Sequence, residues 1–321
     1  MTDPADARLN RVRRLIRLPR AEPTRLPSDS NDTWRLGDTI LRICWRGDLD
    51  RFQREAAVTA VLPPQVRAPH LLDTGRAGDL AWQLTRAIDG EPLQAVWGTL
   101  TPSRRDDAIA QLGTCLAALH AFPLPAAVRA LLGVPRPGPD PTPSEVIGSD
   151  INPLPYARLV RLLAPARALP GGDPGIIDAL TDRLRDLARH DPFDAGQQRN
   201  GCIHGDVHLG NALWHEGSVS LLDFEWVRLG PPDADLEALL RTGPDGLPLT
   251  PDLDTVLARL AEAYPALVSV PDLVPRLWLS QLAFALRRTL TDAGNPAAAF
   301  AALRRLLDGP DVVRSALKIA G

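Results

Sequence analysis

Lysine is almost missing. Lys318 is the single lysine among 36 lysine and arginine residues in a chain of 321, so any site upstream that needs a cation must use arginine. Long apolar runs are missing too: no stretch approaches the roughly 18–20 residues that span a bilayer, and the N-terminus has no apolar core of signal-peptide type. Those absences predict a cytoplasmic protein with no membrane partner. Cysteine is scarce, and Cys44, Cys115 and Cys202 are odd in number, widely spaced and set in apolar surroundings. They suit reduced core thiols better than a disulfide or a metal site. Neither sign of charge dominates: the net charge is -3, which supplies no broad basic surface and predicts no nucleic-acid partner. Arg8, Arg11, Arg13, Arg14, Arg17 and Arg20 make the first segment locally basic, which reads as the solvated face of a helix over about 6–18. What is present suffices for substantial cores, with 45% hydrophobic and 23% charged residues.

The chemistry is concentrated in HGDVHLGN at 204–211 and LLDFEW at 221–226. Protein kinases carry a catalytic Asp, an Asn five positions later and a downstream Asp-Phe-Gly, and Asp206, Asn211 and Asp223-Phe224 keep that spacing. Phosphoryl transfer needs one carboxylate to accept the attacking hydroxyl's proton, while an amide and a second carboxylate hold Mg²⁺ against ATP phosphates. Asp206 is the candidate base, and Asn211 and Asp223 are the candidate metal ligands. Cys202-Ile203 reads as a short approach strand, and 212–214 and 219–222 flank a Glu216-Gly217 turn, so Asn211 and Asp223 meet at the open end of one hairpin. A rival reading takes His204, Asp206 and His208 as the alternating ligands of a hydrolytic zinc site. It leaves Asn211 and Asp223 unexplained, and Gly205 argues for a loop over a strand.

Upstream, 24–86 reads as short strands interrupted by one helix. One hairpin turns at Gly37-Asp38 and another around 76–79; the helix at about 49–62 carries Glu55 near its middle. Helical spacing of Ile109, Leu112, Leu116 and Leu119 opens a second, mostly helical part, interrupted by the Pro- and Gly-rich stretch 123–175. The expected architecture is α+β and bilobal: residues 1–88 form an N-terminal helix and a small antiparallel β-rich lobe with one helix, and 89–321 a larger helical lobe. The latter holds the catalytic hairpin at about 200–226 and an insertion at about 123–199 that would build the acceptor site.

With these motifs the chain resembles the aminoglycoside phosphotransferase and choline kinase-like family, over roughly 29–240. The resemblance implies the protein-kinase-like fold and transfer of the ATP γ-phosphate to a hydroxyl of a small molecule: an amino sugar, a sugar or an amino alcohol. Carried over by position, SNDTW at 30–34 corresponds to the nucleotide-covering turn, so Ser30 and Asn31 are candidate nucleotide contacts. LRIC at 41–44 corresponds to the third strand, which sets Arg42 where kinases place the phosphate-binding lysine, with Glu55 as its ion-pair partner. WQLTR at 82–86 followed by DGEPL at 89–93 corresponds to the interlobe hinge, with Gln83 and Thr85 as further nucleotide-site candidates. The segment 230–236 corresponds to the brace of the catalytic loop.

Departures carry information. The covering turn has no glycine between Leu26 and Trp34, Arg42 is a planar fork where lysine is a point charge, and Glu225 replaces the glycine of Asp-Phe-Gly. Arg42 has an alternative reading as an outward strand residue in an ordinary surface pair. The short interval between Asp223 and Asp235 leaves no room for a phosphorylatable activation loop. Glu237, Asp252, Asp254 and Glu262 are candidates for recognising an amine-bearing acceptor, or are solvated helix carboxylates. The arginine and the glycine-poor turn also leave open a nucleotide-binding regulator with little transfer activity. Oligomeric state is not legible.

Overall fold

Ala5, Leu9 and Val12 recur at helical spacing, and in the computed structural model they form the buried stripe of helix α1 (Pro4–Leu15). The structure describes residues 3–28, 31–46, 48–133, 156–191, 201–242, 247–291 and 296–308. α1 begins on an Asp3 cap, whose carboxylate accepts from Ala5 N at 2.8 Å. Its apolar stripe lies on one face of a five-stranded antiparallel sheet, against Trp34, Leu41, Ile43, Leu80 and Trp82. The helix is therefore only half solvated: Arg11 reaches back to Asp79 at 2.6 Å, and Arg8 pairs with Asp32.

The sheet runs in the order β1 (Thr24–Leu26), β2 (Asp32–Leu36), β3 (Thr39–Cys44), β5 (Leu80–Arg86), β4 (Leu71–Ala77). Strand alternation sends Leu41, Ile43, Trp82 and Leu84 toward α1 and Arg42, Cys44, Ala81 and Gln83 to the opposite face. On that face sits α2 (Arg51–Thr59), whose Phe52 packs against Cys44 and Ala81 and whose Glu55 is 2% exposed. β5 is paired on both edges and buried through Thr85. The connection that leaves it, 87–90, turns on Gly90 at φ +129°, where a Cβ would stand 2.7 Å from the carbonyl oxygen of Trp214.

Beyond that crossing the chain is helical apart from small sheets. β6 (Glu91–Pro92) pairs with β8 (Ala212–His215), which forms a hairpin with β9 (Ser218–Leu221); β7 (Gly201–Ile203) pairs with β10 (Arg228–Gly230). The hairpin turns at Glu216 (φ 45°) and Gly217 (φ 81°). α3 (Leu93–Val96) leads to α4 (Pro102–Ala121), which buries Ile109, Leu112, Leu116 and Leu119 in the largest core. α5 (Ala126–Leu132), α6 (Tyr156–Val160), α7 (Leu163–Arg167) and α8 (Pro174–Leu187) join that core, as do α9 (Leu253–Ala263), α10 (Pro265–Val268), α11 (Leu273–Thr291) and α12 (Pro296–Asp308). The architecture is the expected α+β one, a small antiparallel sheet with its helix followed by a helical lobe. All three cysteines are free and buried, and burial pushes the thiol of Cys202 up to about 12 and that of Cys115 to about 11, which keeps both inert. Among the described residues no single helix is long and apolar enough to cross a membrane.

Candidate active site

The loop after β7 is fastened by one carboxylate. Asp235 accepts from the backbone N–H of His204 at 2.9 Å and of Gly205 at 2.6 Å, and its other contact is the Nε2 of His120 at 2.8 Å. Burial alone would raise Asp235, but the bond from His120 and the neighbouring charges and amides outweigh it and hold its pKa below the ordinary aspartate value. Gly205 takes φ +87°, and a Cβ there would lie 2.5 Å from the Trp226 carbonyl oxygen, so only glycine lets the loop pass. His204 is fully buried: its Nε2 donates to the Leu222 carbonyl at 2.7 Å and its Nδ1 accepts from Asp206 N at 3.3 Å. His208 Nδ1 accepts from Gly210 N at 3.0 Å. Burial lowers the pKa of both histidines, so both are neutral loop holders, and among the described residues no group of three or more His, Cys, Asp or Glu is placed to hold a metal. The zinc-site reading of His204, Asp206 and His208 is thereby removed.

Asp206 stands on this loop with an unforeseen partner. Arg241 Nη1 donates to its Oδ1 at 2.7 Å, and the rest of that guanidinium is bound by Glu237 at 2.7–3.2 Å. Burial would raise Asp206, yet the Arg241 guanidinium more than compensates and keeps its pKa below the usual carboxylate range. Asn211 donates from Nδ2 to the Asp206 carbonyl at 3.0 Å, and Leu222 N donates to the Asn211 carbonyl at 2.8 Å, which closes the open end of the hairpin. Asp223 follows at φ 63°, ψ 61°, a left-handed position that Asp tolerates better than most residues.

Asp223 is where the two lobes meet electrostatically. Arg42 Nη1 donates to both oxygens of Glu55 at 2.9 and 2.8 Å, while its Nη2 donates to Asp223 Oδ1 and to Glu225 Oε2, the latter at 2.7 Å. The side chain is 13% exposed and lies 4.8 Å above the Phe52 ring, which excludes the reading of Arg42 as half of an ordinary surface pair. Burial disfavours its charge, but Asp223, Glu55 and Glu225 overcome that and raise its pKa. The carboxylates show the converse: burial and the surrounding Glu225, Glu55 and Asp206 push Asp223 up to about 8 against the pull of Arg42. That surplus of negative charge, with Asn211's amide nitrogen committed to Asp206 and its oxygen left as ligating atom, suits a hard cation that completes its shell from phosphate oxygens.

The other sequence candidates fall differently. Asn31, 7% exposed, donates to Glu225 Oε2 at 2.7 Å and accepts from Arg51 at 2.9 Å, so its amide ties the covering turn to Glu225. Ser30 lies outside the described residues. Gln83 and Thr85 do not sit on the interlobe crossing; β5 keeps its pairing through Arg86, so both are in the sheet interior and the crossing is made by 87–90. Gln83 Oε1 accepts from Arg42 at 3.3 Å, and Thr85 is buried opposite Ile40.

Beside Asp206 opens a cleft of about 170 Å³, lined by Gly205, Asp206, Trp226, Arg241, Phe284, Arg287 and Arg288. Arg241 lies 4.2 Å above the Phe284 ring and Arg287 5.3 Å above that of Trp226. None of the carboxylates expected to read an amine lines it. Glu237 is 2% exposed and bound to Arg241, Asp252 accepts from Trp97 and Arg105, Glu262 pairs with Arg259, and Asp254 is exposed on α9. The described part of the insertion, 123–133 and 156–191, packs into the core and supplies no lining residue. Sequence reasoning also missed Arg241, Arg51, Arg287 and Arg288. The only available signal was the Arg287-Arg288 pair in an otherwise apolar helical run.

The sequence pattern of the phosphotransferase enzyme family (APH) matches residues 24–270. No curated protein matches the chain. Among solved structures, the GDP complex of aminoglycoside 2'-phosphotransferase-IIIa superposes with a TM-score of 0.67 at 17% identity, covering 94% of this chain and 97% of that one. The complex of gentamicin with APH(2")-IIa gives 0.67 at 14%, covering 98% and 99%. A choline/ethanolamine kinase family protein from Mesorhizobium loti gives 0.62 at 17%, covering 94% and 93%. At these identities the likeness is one of fold.

Proposed function

Since the chain belongs to the phosphotransferase enzyme family, we propose that it moves the γ-phosphoryl group of ATP to a hydroxyl of a small molecule, with Asp206 as the base. One observation carries the reading: Asp206, Asn211 and Asp223 converge at the open end of a single hairpin, with Arg42 and Glu55 facing them from the β-rich lobe. The acceptor oxygen bonds to the γ-phosphorus as the bond to the β–γ bridging oxygen breaks, ADP leaves, and the hydroxyl proton passes to Asp206. Asp206 is ionised at neutral pH because Arg241 holds its pKa down. It is therefore a weak base that orients the hydroxyl and takes the proton late. Asn211 and Asp223 would hold Mg²⁺, which supplies charge neutralisation of the phosphates, and Arg42 adds a fixed guanidinium beside them. Gln83 and Glu55 position Arg42, Thr85 belongs to the strand behind it, and Asn31 ties the covering turn to Glu225. Several of the similar folds were solved with nucleotides, GDP in one and ADP in another, which supports the nucleotide half of the reading.

The test is a calorimetric titration with Mg-ATP and with Mg-GTP, followed by mass-spectrometric detection of phosphorylated product across amino sugars, sugars and amino alcohols. The direct hold of Arg42 on Asp223 favours a second reading, a nucleotide-binding regulator with little transfer. Tight Mg-ATP binding with no product from any acceptor supports that second reading, and no nucleotide binding at all removes both.

A further inference from the structure

Protein kinases carry glycine directly after the Asp-Phe pair, and this chain carries Glu225. Its side chain is 1% exposed and reaches from the helical lobe into the β-rich one. There a single oxygen, Oε2, meets three separate elements: Nδ2 of Asn31 at 2.7 Å, where the expected covering turn joins β2, Nη2 of Arg42 at 2.7 Å on β3, and Nε of Arg51 at 3.7 Å in the first turn of α2. The donors are also tied to one another, because Arg51 Nη2 donates to Asn31 Oδ1 at 2.9 Å and to Cys44 Sγ at 3.0 Å. The backbone end of Glu225 is fixed as well. Phe224 is wholly buried in the largest core, its ring lies 4.6 Å from that of His204 on the catalytic loop, and its N–H donates to Glu55. Glu225 therefore joins the loop that carries Asp206 to the turn, strand and helix expected around the nucleotide.

We infer that Glu225 is a positioning residue for the nucleotide's phosphates: it holds Asn31 and the Arg42 guanidinium at fixed places against the catalytic lobe, so that the phosphates enter an assembled site. This rests on the nucleotide-binding half of the reading above and deepens it. The chain lacks two usual means of gripping phosphates. No glycine stands between Leu26 and Trp34 to let backbone amides close on them, and no lysine stands upstream of Lys318. An arginine in the lysine's place has two terminal nitrogens to orient, and here Glu55 fixes Nη1 while Glu225 fixes Nη2 beside Asp223. Contacts from one carboxylate to three elements make that order cooperative, and order present before binding is order that the ligand does not have to impose. A carboxylate that merely competed with the phosphates for Arg42 would weaken nucleotide binding, and its removal would strengthen it. A positioning carboxylate gives the reverse.

The experiment titrates the full chain, wild type and Glu225→Gln, with adenosine, Mg-ADP and Mg-ATP by calorimetry well below the melting temperature. The glutamine keeps the volume and removes the charge that gathers the donors. The expected result is a Kd for Mg-ATP raised about tenfold or more, which is what a hydrogen bond to a charged group contributes, with the Kd for adenosine within about twofold. A general loosening of the fold would instead lower all three affinities, or the bound fraction, alike. Asn31→Ala cuts the same junction from the opposite side and serves where the glutamine variant does not fold. It should raise the Kd for Mg-ATP in the same selective way, by about threefold or more, and add little to Glu225→Gln. Amide hydrogen exchange on the ligand-free protein supplies a readout independent of nucleotide: in Glu225→Gln residues 31–36 exchange at least about fivefold faster, while 105–119 keep wild-type rates. Unchanged or tighter Mg-ATP binding by a folded variant, an equal loss for adenosine, or unaltered exchange over 31–36 overturns the inference and leaves nucleotide binding standing. No Mg-ATP binding by wild type instead removes the nucleotide reading, and the inference with it.

Discussion

Replacing Arg42 by Met keeps the volume and deletes a cation that touches Glu55, Asp223 and Glu225 together. Glu55 and Glu225 are 2% and 1% exposed, so the variant takes Arg42 away from buried Glu55 and from Asp223 at the cleft, and leaves buried Glu225 to Asn31 and Arg51. Removing one partner of a buried ion pair costs about 3–5 kcal/mol, because the charge left behind is neither solvated nor matched. At about 2–4 °C per kcal/mol for a chain of this order of size, the melting temperature falls by about 6–20 °C. Arg42→Lys retains the charge on one nitrogen, which cannot bond Glu55 and Glu225 at once as the two guanidinium nitrogens do, so its loss falls in between. Adding Glu55→Gln to Arg42→Met relieves part of the loss, since the penalty is the stranded charge and not the missing attraction. Thermal unfolding followed by circular dichroism at pH 7 reads all four proteins. A melting temperature for Arg42→Met within about 2 °C of wild type refutes the reasoning, because that is the response of a solvated surface pair.

Three further outcomes follow from the same structure. Arg241→Met removes the largest charge that lowers Asp206, so the acid limb of the kcat/KM profile moves to higher pH; wild type shows no limb from Asp206 near neutrality, and identical profiles contradict the assignment. Asp235, whose pKa is depressed by His120 and the loop amides, contributes stability that is complete above the ordinary aspartate pKa near 4 and is lost as pH falls through its lowered value. Asp235→Asn should thus cost about 1–3 kcal/mol at pH 7 and flatten the acid side of a urea-denaturation series; an unchanged acid slope counts against it. Gly205→Ala, forced against the Trp226 carbonyl at positive φ, should cost more than about 1 kcal/mol and lower kcat while nucleotide affinity holds, measured by denaturation and titration together.

What was legible in the sequence is local. Period-two alternation and the Gly37-Asp38 turn set β2 and β3, and the Glu216-Gly217 turn set the hairpin that joins Asn211 to Asp223. Arg42 opposite Glu55 was implied by the resemblance to the phosphotransferase family, carried over by position. The partners that arrive from far along the chain left no such mark. Arg241 is 35 residues beyond Asp206 and reaches it only because Glu237 and Phe284 hold its side chain in place. Glu225 stood out as a departure from Asp-Phe-Gly, yet its bonds to Asn31, Arg42 and Arg51 depend on how two lobes close on each other. Gln83 and Thr85 were displaced from the crossing because β5 gains a neighbour on each edge, a tertiary fact no window of sequence contains. Of the two readings open for the carboxylates about α9, the packing of that helix against α4 and the arginine partners of Asp252 and Glu262 favour the one that does not involve the acceptor.

The decisive measurement is the single-turnover rate of γ-phosphoryl transfer from Mg-ATP to a confirmed acceptor, for wild type and for Asp206→Asn with matched melting temperature and nucleotide affinity. A positioned base contributes typically 10²–10⁴-fold, so the account predicts a loss of that order in the variant. Transfer by Asp206→Asn at the wild-type rate would contradict it.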